Sequence, residues 1–168
     1  MKATLIINNQ EIEVEISEEE YKKLQPVEKK TGYERVKEGD RYYHPNYRGE
    51  IEDPIDERVT WDDDPYNIAN YYSSEVVAKN NARADNLMRQ LRRFAVEHRE
   101  NEFDWCSTKQ GKYFIYYEYA SNILDVEYIL RYRHFGGIYF NSKETAKLAI
   151  DTFHDELIWY FTEYKDSL

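Results

Sequence analysis

The chain reads as an α+β protein, with duplicated strand-strand-strand-helix units forming an antiparallel sheet with two long helices on one face, plus a small N-terminal ββα appendage. Three observations predict it. First, Tyr71-Tyr72-Ser73-Ser74-Glu75-Val76-Val77-Ala78-Lys79 is echoed by Tyr139-Phe140-Asn141-Ser142-Lys143-Glu144-Thr145-Ala146-Lys147, each a short strand running into a helix N-cap. Second, the order hairpin, short strand, helix occurs twice. Third, 16% of the 168 residues are aromatic, 17 of them Tyr, which supplies buried area that a disordered chain lacks. The mean hydropathy of -0.91 therefore reflects charge and not a missing core.

The elements follow in order. Thr4 to Ile7 and Ile12 to Ile16 flank Asn8-Asn9-Gln10 as a hairpin, the second strand alternating apolar and acidic residues. Ser17 with Glu20 three positions on is a capping box, so a helix runs from there to about Leu24. Residues 1–25 form the appendage, 26–32 a Pro- and Gly-containing linker, and 33–168 the duplicated domain. A second hairpin joins 41–44 to 50–52 through Pro45-Asn46-Tyr47-Arg48-Gly49. Residues 53–68 read as a long acidic loop and Ile68 to Tyr72 as a short strand. Ser74 caps a helix over Glu75 to His98, with an apolar stripe of Val77, Ala84, Met88, Leu91, Ala95 and His98 interrupted by Asn81. Residues 100–111 form a polar loop around Trp105. Tyr113 to Tyr119 pairs with Leu124 to Arg133, Ile138 to Phe140 is the second short strand, and Ser142 caps the last helix. Its stripe is Ala146, Ala149, Phe153, Leu157, Tyr160 and Tyr164.

Composition narrows the function classes. The net charge is -10, divided as -8 over residues 1–64, +3 over 65–99 and -5 over 100–168. An acidic chain repels nucleic acid over most of its surface, so no direct nucleic-acid binding is expected. The single cysteine, Cys106, allows no disulfide within the chain and no thiolate metal cage. The N-terminus turns polar at once, and no apolar run approaches the roughly 20 residues of a membrane span. The expectation is a cytoplasmic protein with no membrane association.

Four clusters are candidates for chemistry. Eight of residues 50–64 are acidic, and Asp53, Asp56, Glu57, Asp62, Asp63 and Asp64 with Trp61 are the candidate partner-binding surface. The same segment also reads as a solvated loop or an oxygen-ligand cation site, although the glycine of a calcium loop is absent. Arg89, Arg92 and Arg93 on the basic helix face, with Tyr116, Tyr128 and Arg131 on the aromatic strands, are the candidate ligand-binding set. They read equally as a solvated face and as packing or self-association. Asn80 and Asn81 fall at core-like positions and require hydrogen-bond partners. His44, His98, His134 and His154 show no metal spacing, and nothing in the sequence supplies Cys106 with a base. No catalytic residue, metal or cofactor is expected.

Gly32-Tyr33-Glu34-Arg35-Val36, the stretch Asn81 to Ala95 (NARADNLMRQLRRFA), Lys112-Tyr113-Phe114-Ile115-Tyr116-Tyr117, Ile138 to Ala146 (IYFNSKETA) and Asp155-Glu156-Leu157-Ile158-Trp159-Tyr160-Phe161 carry a resemblance. Over most of the chain it resembles a widespread family of small proteins from phages and other mobile elements of Gram-positive bacteria. The resemblance brings no catalytic residues with it. It implies an accessory protein of a mobile element, a class that often opposes host defence, including anti-CRISPR proteins and other inhibitors. The leading expectation is a non-enzymatic inhibitor in the bacterial host cytoplasm, binding a bacterial defence protein through the acidic surface. The alternative is a homo-oligomeric protein that sequesters a nucleotide signal through the basic helix and the tyrosines. An enzyme acting on nucleic acid or nucleotide is the third reading.

Overall fold

The computed structural model describes residues 2–7, 10–20 and 30–168, which divide into two compact units, Met1–Lys30 and Thr31–Leu168. In the first, β1 (Lys2–Ile7) pairs antiparallel with β2 (Gln10–Glu15), placing Leu5 opposite Ile12. The expected capping box is present. The Ser17 N–H donates to Glu20 Oε2 at 2.9 Å, and the Glu20 N–H donates to Ser17 Oγ at 3.2 Å. Residues 18–20 are helical. The rest of that expected helix and linker residues 26–29 lie outside the described residues.

In the second unit, β3 (His44–Pro45) pairs with β4 (Ile51–Glu52), and β5 (Lys112–Glu118) pairs with β6 (Ile123–Ile129), both antiparallel. The helices are α1 (Thr60–Asn67), α2 (Glu75–Glu97), α3 (Lys143–Thr152) and α4 (His154–Thr162). Ser74 and Ser142 both cap as expected, accepting from the Val77 N–H at 3.5 Å and the Thr145 N–H at 3.1 Å. One core gathers Leu87, Leu91 and Ala95 of α2 with Val126, Phe140, Ala146, Ala149 and Leu157. A smaller one gathers Tyr72, Val77 and Ala78 against Tyr43 and Ile51. Arg83 ties α2 to α4 by a two-pronged bond to Glu156 at 2.8 and 2.9 Å, with its guanidinium 4.0 Å from the Trp159 ring centre.

The architecture is mixed α and β, but the strands form three separate two-stranded sheets and not one. The short strands shrink to isolated bridges, Tyr43 to Tyr72 and Tyr113 to Phe140. Ala69, at a φ of 57°, bends the first out of extension. β6 stops at Ile129 instead of Arg133, because the Leu130 carbonyl is taken by the Lys112 ammonium at 2.7 Å. The last helix divides at Phe153. There Thr152 Oγ1 donates to the Leu148 carbonyl at 2.7 Å, a back-bond that bends helices. The bend lets Phe153 meet Phe94 edge to face, ring centres 5.7 Å apart. On α2 the buried stripe runs through Ala78 and Leu87, whereas His98 is exposed and its Nδ1 pairs with the Phe94 carbonyl.

Candidate functional site

Residues 53–68 are not one long loop. The sequence TWDDDPYN folds as α1, because its acids have partners that the sequence alone conceals. Asp62 Oδ2 accepts the Glu57 and Val59 backbone N–H groups at 2.8 and 3.3 Å, and its Oδ1 accepts the Tyr42 hydroxyl at 3.1 Å. A carboxylate in the first turn satisfies backbone donors and complements the helix dipole.

Beneath α1 lies an ionic network built on Arg35. Its Nε and Nη2 grip the two oxygens of Asp56 at 3.0 and 3.2 Å, and its Nη1 reaches Asp63 at 2.7 Å. The guanidinium sits 5.2 Å from the Tyr66 ring centre. Asp56 is 0% exposed and also accepts the Tyr71 hydroxyl at 2.8 Å and the Arg58 N–H at 2.9 Å. The Arg35 guanidinium holds the Asp56 carboxyl down at about 2 against its desolvation. Tyr71 stacks on Tyr42 with ring centres 4.1 Å apart. Burial, then the bond to Asp62, pushes the Tyr42 hydroxyl up to about 12. Arg58 is held at a φ of 59° by its N–H bond to Asp56 and a side-chain bond to the Val36 carbonyl.

Two expected partner-binding acids, Asp56 and Asp62, are therefore buried and internally bonded, and cannot meet a partner. Asp63 is half-buried against Arg35, and Asp53 pairs with Arg41 at 2.8 Å. Glu57 and Asp64 remain at the surface. So does Trp61, 83% exposed, with Ile68 at the end of α1 74% exposed. Trp61, Asp64, Pro65 and Ile68 are spaced three, one and three apart, one face of a helix, while Asp62 and Tyr66 turn to the body. The outer face of α1 thus exposes Trp61 and Ile68 beside Asp64, while Asp62 is bonded inward. Val59 and Ile55 add further exposed apolar surface on the approach to α1. Trp61 belongs to the surface expected from the sequence, whereas Ile68 was expected at the start of a short strand and ends α1 instead.

The candidate ligand-binding residues do not converge. Arg89 lines a groove of about 850 Å³ with Arg48, Lys79, Arg83 and Asp85, between the β3–β4 hairpin and α2. Arg92 lines a different cavity, and Arg93 is exposed, 3.8 Å from Glu97. Tyr128 and Arg131 border the open edge of β6 with Trp105 and Cys106. Tyr116 stands on the other face of its hairpin among Glu118, Asp125 and Glu127, with desolvation the main cause raising its hydroxyl pKa. Asn80 and Asn81 are bonded. Their amides donate to the Lys165 and Asp166 carbonyls at 3.1 and 3.4 Å, and Asn81 Oδ1 accepts the Tyr164 hydroxyl at 2.8 Å. Both asparagines thus hold the segment 164–166 against α2.

Among the described residues, no three His, Cys, Asp or Glu side chains are grouped to hold a metal, and no helix is long and apolar enough to cross a membrane. Cys106 is exposed, its N–H bonded to Asp104. No protein-family model, curated protein or solved structure matches the chain.

Proposed function

We propose that the protein is a non-enzymatic inhibitor that binds a bacterial defence protein through the outer face of α1. The exposed apolar pair on that helix, Trp61 and Ile68, carries the reading. Exposing Trp61 and Ile68 to water has a cost that a docking partner removes, at about 25 cal/mol per Å² of apolar surface covered. Tryptophan is also the side chain most often found as an interface anchor. The network of Arg35, Asp56, Asp62, Asp63 and Tyr42 fixes α1 from below, so little ordering remains to be done on binding. Glu57 and Asp64 beside the apolar residues favour a partner with a basic rim around an apolar socket, as on a nucleic-acid-binding surface. The resemblance to proteins of mobile elements supplies the biological setting. The two bridges, each followed by a serine-capped helix with a fully buried alanine (Ala78, Ala146), support reading the second unit as a duplication.

Affinity capture from a defence-bearing lysate tests this with the full chain and two variants. Trp61→Ala is expected to lose a nucleic-acid-binding defence protein that the parent retains, at an affinity loss of tenfold or more, about 1.4 kcal/mol. Its melting temperature should hold, because surface substitutions away from special features cost little. The pair Glu57→Gln with Asp64→Asn should bind more weakly and with less dependence on salt. Equal capture by parent and Trp61→Ala would sink the proposal.

A further inference from the structure

A second site lies away from α1, at the other end of α2. A cavity of about 420 Å³ is bordered by Arg92 and Val96 of α2, by Arg99, Glu102, Phe103 and Trp105 of the following loop, and by Arg133 and Ile138. Its volume falls among small-molecule sites, roughly 300–1,000 Å³. Three arginines from different parts of the chain line one space in a protein of net charge -10. The C-terminal dipole of α2 accounts for a cation at Arg92 or Arg99, but not for Arg133, which arrives from beyond β6.

Acidic partners are scarce here. Among the described residues, the one ion pair at this cavity is Arg99 with Glu102, at 3.4 Å, and the Glu102 side chain is 90% exposed. Two of the three guanidinium groups also lie over rings. Arg99 lies 4.8 Å from the Phe103 ring centre and Arg133 lies 5.4 Å from that of Trp105. Stacking orients a guanidinium while leaving its in-plane donors free for a planar or tetrahedral anion. Behind Trp105, Lys112 is completely buried and spends its protons on the Asp104, Gln110 and Leu130 carbonyls at 2.5, 2.9 and 2.7 Å. Among the described residues no carboxylate pairs with it, so its charge adds to the positive field, and its bonds pin the Trp105 loop. Arg99 Nε is covered by the protein and has no hydrogen-bond acceptor, which leaves the terminal nitrogens of Arg99 to meet a ligand.

We propose that this cavity binds the phosphate of a nucleotide-class ligand, with Arg92, Arg99 and Arg133 as the phosphate donors. Phosphate offers the oxygens that forked guanidinium groups bind two at a time. The space is larger than a bare phosphate fills, and Val96, Ile138 and Phe103 offer an apolar wall to a base or sugar. This proposal keeps the ligand class of the alternative sequence expectation and assigns it to different residues, with Arg92 alone in common.

Calorimetric titration of the full chain with AMP, ATP and inorganic phosphate tests the proposal, beside thermal melts with each. The expected result is saturable binding of a nucleotide, at least tenfold tighter than phosphate, with a raised melting temperature. Arg133→Gln and Arg92→Gln should each weaken it tenfold or more. Arg93→Gln, on the outer side of the same helix, should leave it unchanged, and so should Trp61→Ala, which separates this site from the α1 surface. Phosphate binding as tightly as the nucleotides would overturn the ring-bearing ligand. No binding by either nucleotide at about 1 mM, or binding insensitive to both arginine variants, would overturn the site.

Discussion

Asp56 shows how far one carboxylate can be committed to structure. It takes two bonds from Arg35, one from Tyr71 and one from the Arg58 backbone, with no exposed surface. Asp56→Asn should destabilise the fold by roughly 3 kcal/mol, because Arg35 loses the buried one of its two carboxylate partners while remaining largely covered. The sign with pH follows from the lowered pKa. The Asp56 contribution is complete above its ordinary value of 3.8 and is lost as pH falls from there toward about 2. Chemical unfolding of parent and variant between pH 7 and pH 2 checks both statements, since the gap between them should close on acidification. Tyr42, Tyr72 and Tyr164 titrate in the opposite sense. Desolvation is the leading cause holding each at about 12, so their contribution is complete below pH 10 and fades as pH rises toward 12.

At the scale of elements, the caps rank by geometry. Ser142 bonds both the Thr145 N–H and its hydroxyl, at 3.1 and 3.0 Å, whereas Ser74 reaches Val77 only at 3.5 Å. Ser142→Ala should cost about 1 kcal/mol and Ser74→Ala less, measured by thermal melts followed by circular dichroism. Both caps were legible in the sequence, as were the β1–β2 and β5–β6 hairpins, because capping and alternation are local signals. The helix α1 was not. Its acidic run read as part of a long loop, and it is Tyr42 and Arg35, far away in sequence, that bond Asp62 and Asp63 to the body of the unit. The same physics concealed the burial of part of the candidate site. A run of acids looks like surface charge until the residues that neutralise them are known, so the sequence could not show that Asp56 and Asp62 lie inside or that Ile68 lies outside. The arginine cavity escaped for a related reason, since Arg92, Arg99 and Arg133 meet only through the turn of α2 and the path beyond β6.

At the scale of the molecule, the second unit sets its own limits. Gly32 sits at a φ of +96° with no room for a side chain, since a Cβ there would stand 2.7 Å from Val77 Cγ2. Its carbonyl accepts the Ser73 N–H at 2.7 Å. A chain starting at Thr31 should therefore melt cooperatively, and one starting at Tyr33 several degrees lower, a comparison that calorimetry makes directly. Thr31 does one thing more. Its carbonyl accepts the N–H of Leu168 at 3.0 Å, so the first and last residues of this unit touch. The unit is in effect a ring with one cut. That cut can be moved: joining the ends with a short linker and opening the chain at the exposed Gly49 or Asn122 turn gives a circular permutant with every helix intact. Of the two turns, Gly49 shares a groove with Ile68, whereas Asn122 borders neither that groove nor the arginine cavity and is the place for a reporter domain.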